Sequence, residues 1–144
     1  MTTSSEAMTV LSEDQCWDLI SGVALGRYVT SVGGRSEIFP VNFVVQRKSL
    51  LFRTAEGTKL FGSVVNHQVL FEADDHNVAE GWSVIVRGIA HVLTTSAEID
   101  EAERAGLYPW IATEKLHYVR ITPNEITGRR FVFGPEPDTG DVPG

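Results

Sequence analysis

An intrachain disulfide needs two cysteines, and this 144-residue chain has one, Cys16. Its fold therefore requires no oxidising compartment. Cys16 sits among apolar residues of an expected helix, which marks it as a small buried hydrophobe and not a catalytic thiol. Basic residues are also scarce: 12 Lys and Arg against 19 Asp and Glu leave a net charge of −7. Phosphate backbones are gripped by clustered cations, so nucleic acid is excluded as the main partner. An anionic membrane surface is excluded on the same ground. No apolar run approaches the roughly 20 residues of a membrane-crossing helix. Residues 1–8 lack the basic and apolar regions of a secretory signal. The expected compartment is the cytoplasm, with no membrane attachment.

What is present suits one domain. Hydrophobic residues make up 42% of the chain, enough for a single core without metal or disulfide support. Residues 1–10 are small and polar and read as a flexible N-terminal arm. Residues 134–144, GPEPDTGDVPG, read as a disordered acidic Pro/Gly tail. Between them, 11–133 is the expected domain.

A first helix begins after Ser12, which forms a capping-box pattern with Gln15. Glu13 and Asp14 suit the positive end of the helix. Trp17, Ile20 and Val23 supply a buried stripe, and Gly22 a stop. Strands follow at 26–32, 36–46 and 49–54, joined by turns at Gly33-Gly34 and Arg47-Lys48. Pro40 inside the second of these places that segment at an edge or bulge. A short helix is expected over 58–65 and a strand over 68–74. A long strand over 82–94 has Gly88 at a bulge or bend. Thr95 and Glu98 cap another helix, ending near Ala105-Gly106. Two strands, 116–122 and 125–133, finish the pattern. Short strands at hairpin spacing, without alternating long helices, predict a mostly-β antiparallel barrel or sandwich.

The stretch with the strongest chemical signal is LFRTAEGTKL, residues 51–60. A strand ending at Arg53-Thr54 passes through a loop with Gly57 into a helix opened by Thr58 and Lys59. Helix starts present unpaired N–H groups and a positive dipole end to anions. Thr58 adds a hydroxyl, Lys59 and Arg53 add charge, and Gly57 admits close backbone approach. The bland alternative, a plain cap flanked by solvated cations, is about equally compatible with the spacing. The P-loop pattern G-x-x-x-x-G-K-S/T is absent.

The order of the motifs resembles the pyridoxamine 5′-phosphate oxidase-like family of FMN-binding split barrels, from about Leu11 to Phe133. The matching pieces are the first helix, PVNFVV within 38–45, FRTAEGTK at 52–59, VLFEAD at 69–74, GWSVIVRG at 81–88 and ITPNEITGRRF at 121–131. The resemblance implies a split β-barrel of six to seven antiparallel strands with two to three short helices. It implies a homodimer with the flavin between subunits. Backbone groups of Val41, Asn42 and Phe43 would meet the ring edge. Arg53 and Thr54 would lie near the ribityl chain and phosphate, and Gly57, Thr58 and Lys59 would grip the phosphate. Trp82 and Ser83 would come from the second subunit, with Trp82 as a stacking wall. The implied activity is flavin-dependent hydride transfer with a small organic molecule, the cofactor being FMN or an 8-hydroxy-5-deazaflavin coenzyme. The resemblance also admits a non-catalytic carrier or sensor of flavin, deazaflavin or haem.

The chain departs from true pyridoxamine phosphate oxidases after its last strand, where Arg129, Arg130 and Phe131 lead into the acidic tail. Vitamin B6 oxidation is therefore not expected. The four histidines, His67, His76, His91 and His117, lack metal-ligand spacing and read as exposed loop residues. Asp74, Asp75 and Glu80 read as a solvated face, as do Asp100, Glu101 and Glu103 on the later helix. Trp17 and Trp110 read as packing residues. A barrel with no small ligand, serving protein interaction only, is the remaining class.

Overall fold

The computed structural model describes residues 7–55, 67–107 and 116–134. In chain order these form β1 (Met8–Val10), α1 (Glu13–Ile20), β2 (Leu25–Val32), β3 (Arg35–Gln46), β4 (Ser49–Ala55), β5 (His67–His76), β6 (Glu80–Val92), α2 (Ser96–Glu103) and β7 (Leu116–Val132). The expected helix over 58–65 and the tail beyond residue 134 lie outside the described residues.

All the strands join one antiparallel sheet in the order β1-β7-β4-β3-β2-β5-β6, and β6 pairs again with β7. That second pairing closes the sheet on itself as a split β-barrel. β7 makes closure possible through its length. Its first residues lie between β4 and the end of β6, while its later ones continue along β6 and pair with β1 at Met8–Phe131. Sequence reading divides β7 into two strands at Pro123-Asn124. The structure runs straight through, because a bulge absorbs the break: Gly88 faces Pro123 and Arg87 faces Glu125, leaving Asn124 as the extra residue. Gly88 is required there, since a Cβ would run into the Thr122 carbonyl oxygen and the Pro123 Cα. Met8–Val10, read as part of a loose arm, is strand β1.

The local rules explain most of the remaining boundaries. Gly33 and Gly34 have φ of 59° and 77°, and Arg47 and Lys48 both have 52°. The β2–β3 and β3–β4 hairpins thus use two-residue turns with positive φ, whose twist matches the strands. Ser12 and Gln15 make the reciprocal capping box of α1, and Thr95 and Glu98 that of α2. Inward-facing residues alternate along each strand. Tyr28, Phe43, Phe52, Phe71, Val84, Val86, Val119 and Ile121 fill the barrel, and Cys16, Trp17 and Ile20 of α1 join that core. A smaller core lies outside the barrel, where α2 covers Leu51, Leu93 and Tyr118. No helix among the described residues is long and apolar enough to cross a membrane.

Candidate functional site

Two arginines stand on the outer face of the β4–β7 pair, and their surroundings differ in kind. Arg120 is saturated. Its Nη1 donates to Ser49 Oγ at 2.7 Å and its Nη2 to Gln46 Oε1 at 2.8 Å, with Glu101 Oε1 at 3.6 Å. Glu101 also pairs with Arg47 at 2.9 Å, and Gln46 donates to the Glu101 carbonyl. Glu101 is therefore no part of a wet face; it docks α2 onto the barrel. Arg53 sits opposite Tyr118 in the same ladder, with its guanidinium carbon 4.8 Å from the Tyr118 ring centroid. Among the described residues its buried Nε has no hydrogen-bond partner, and no carboxylate pairs with it. A buried, fixed donor of this kind is costly unless something satisfies it. An anion fits that need, and Arg recognises phosphate through its planar fork.

The chain brings together part of the expected constellation. Phe43 pairs with Phe52, so the β3 segment 41–43 adjoins the strand carrying Arg53 and Thr54. Val41 and Phe43 point into the core, at 7% and 1% exposure. Only backbone and Asn42 are left there for a ligand. Residues 43–46 of β3 pair with β4, whereas 35–42 pair with β2 alone among the described residues. That leaves Pro40 on a strand with one open edge. Thr54 is buried on the inner face, opposite His117. Gly57, Thr58 and Lys59 lie outside the described residues.

Trp82 and Ser83 lie elsewhere, paired with Asp75 and Asp74 of β5 and with Arg130 and Arg129 of β7. Trp82 packs against the main core. The Ser83 hydroxyl donates to Glu72 Oε2 at 2.8 Å, and Glu72 Oε1 accepts from Arg27 Nε at 2.7 Å. Burial holds the Glu72 carboxyl above its ordinary range despite the arginine. Ser83 also borders an outer groove of about 540 Å³ with Val10, Ile85, Arg87, Arg129 and Phe131. The groove was not legible in the sequence, because β1, β6 and β7 meet only through the closure pairing.

Other candidates resolve simply. Cys16 is fully buried, and burial with Glu13 nearby pushes its thiol above the ordinary value, which makes it a poor nucleophile. All four histidines lie on strands and not in loops. Among the described residues no group of three His, Cys, Asp or Glu could hold a metal.

Comparison with known proteins decides the family. Residues 12–130 match the family described as pyridoxamine 5′-phosphate oxidase. The chain belongs to that family. A Mycobacterium smegmatis FAD binding protein of known structure is 58% identical, with a TM-score of 0.78 over 85% of this chain and 99% of that one. A Corynebacterium glutamicum structure bearing the pyridoxamine 5′-phosphate oxidase name is 45% identical, with a TM-score of 0.83 over 90% and 97%. An uncharacterized Mycobacterium tuberculosis protein is 66% identical over 95 residues, 66% of this chain and 86% of that protein.

Proposed function

We propose that this chain is a cytoplasmic, homodimeric flavin-dependent oxidoreductase that holds FMN by its phosphate. The observation that carries the reading is Arg53, a guanidinium stacked on Tyr118 whose buried Nε has no hydrogen-bond partner among the described residues, near the end of the strand that precedes Gly57, Thr58 and Lys59 in the sequence. The name of the Mycobacterium smegmatis relative supports flavin as the ligand class. FMN and FAD share the ring, the ribityl chain and the first phosphate, so the same cations serve either. Arg47 is engaged by Glu101 at 2.9 Å, and Arg87 faces Glu125 at 3.7 Å. The acidic tail of a deazaflavin calls for further cations, with Arg47, Lys48 and Arg87 as candidates, and two of these three already face carboxylates, which weighs towards FMN.

The flavin, when bound, accepts or delivers the hydride. The chain's own residues bind and orient it. Arg53 holds the phosphate, and backbone groups along 41–43 present donors and acceptors to the ring edge. Donors at that edge favour negative charge on the ring. In a homodimer, Trp82 and Ser83 of the second copy cover the ring and exclude water.

Arg53→Ala is expected to weaken FMN binding about tenfold to a hundredfold, as befits a lost charge-assisted bond of roughly 1.5–3 kcal/mol. Riboflavin, which lacks the phosphate, should bind both forms alike. Flavin fluorescence quenching measures this, and equal FMN affinity in the two proteins would falsify the assignment. A carrier or sensor would bind the same cofactor without turnover. Stopped-flow reduction by NAD(P)H or a reduced deazaflavin separates the two, since a carrier's bound flavin stays oxidised.

A further inference from the structure

We propose that Tyr118 is a positioning residue for phosphate recognition, and that α2 holds it in place. The inference rests on the reading of Arg53 above and extends it to residues that no phosphate would touch.

Arg53 has no carboxylate among the described residues to set its direction. What it has is the Tyr118 ring beneath it, 4.8 Å from guanidinium carbon to ring centroid. A stacked ring restrains the plane of the guanidinium and leaves its N–H edge free to donate. A carboxylate in the same place would occupy that edge and neutralise it. The ring thus orients the cation without competing with an incoming anion.

The ring is itself firmly held. Tyr118 is 8% exposed and packs in the outer core with Leu51, Leu93, Ala102 and Leu107. Its carbonyl accepts from Leu93 N at 3.0 Å. Two residues along the same face of β7, Arg120 is bound to Ser49, Gln46 and Glu101. The α2 helix is therefore clamped over this patch by an apolar contact and an ion pair together. The Arg120 cluster fixes the helix, the helix buries the ring, and the ring orients Arg53.

The test uses the full chain with FMN and riboflavin as probes, titrated by fluorescence quenching. Tyr118→Leu removes the ring and keeps an apolar side chain under α2. It should lower FMN affinity about tenfold, in the range of a desolvated stacking contact, with riboflavin affinity unchanged. Tyr118→Phe keeps the ring and should bind FMN like the wild type. Equal FMN affinity in wild type and Tyr118→Leu, or equal losses of FMN and riboflavin, overturns the proposal. So does a Tyr118→Phe protein that behaves like Tyr118→Leu. Failure of the underlying reading looks different. There, Arg53→Ala keeps the full preference for FMN over riboflavin, or the wild type binds neither, and the positioning role falls with it.

Discussion

The phenol of Tyr28 is fully buried in the barrel, tilted against Phe52 at 5.0 Å between ring centroids, and its hydroxyl has no hydrogen-bond partner among the described residues. An unpaired buried hydroxyl costs roughly 1–3 kcal/mol, so Tyr28→Phe is expected to raise stability by about 1 kcal/mol in urea unfolding. Burial also pushes the Tyr28 phenol well above its ordinary value. The sign follows from proton binding. Above about pH 10 the unfolded chain releases a proton that the native barrel keeps, so stability falls by about 1.4 kcal/mol per pH unit until the native phenol ionises. The Tyr28→Phe protein lacks this loss. Thermal melts at pH 8 and pH 11 should show a gap between the two proteins that widens on the alkaline side; parallel losses would count against it. The residue identities alone show that Arg53 and Arg120 are both cations on strands. They do not show that one is saturated by Ser49, Gln46 and Glu101 while the other rests on a ring.

At the scale of elements, the β2–β3 and β3–β4 hairpins solve one geometric problem with different residues. Gly33-Gly34 adopts positive φ without penalty, but Arg47 and Lys48 adopt it at about 1–2 kcal/mol each. Arg47 gains its ion pair with Glu101 in compensation. No ion pair of Lys48 is found among the described residues, so Lys48→Gly is expected to stabilise the chain by about 1 kcal/mol. The urea midpoint should rise with an unchanged slope, and an unmoved or lowered midpoint refutes the strain. Capping boxes, turns and the Gly88 bulge were legible in the sequence because each depends on a few adjacent residues. The continuity of β7 was not. Pro123 reads as a terminator locally, and only the pairing with β6 shows that the extra residue, Asn124, is taken up as a bulge. For the same reason Met8–Val10 looked like an arm: its three residues are a strand only because β7 offers them a partner.

At the scale of the whole molecule, the proposed homodimer has features of the single chain in its favour. Residues 35–42 of β3 leave one edge without a partner among the described residues, with Ile38 66% exposed. Val10, at 71% exposure, borders the groove next to Ser83. Trp82 and Ser83 share no ladder with Arg53 within one chain, which agrees with the proposal that a second copy supplies them over a ring held near β3 and β4. Sedimentation equilibrium should give twice the 15.8 kDa chain mass, and a single-chain mass at micromolar concentration would refute the proposed dimer. Sequence by itself determined where most strands, the tight turns and the caps lie, and that the chain is a mostly-β domain, because those follow from side-chain period, φ preference and hydrogen-bonding groups a few residues apart. Tertiary structure alone decided which arginine is spent on holding a helix and which is left poised over a ring. That choice depends on the register between β4 and β7, strands some sixty residues apart, and no local pattern encodes it.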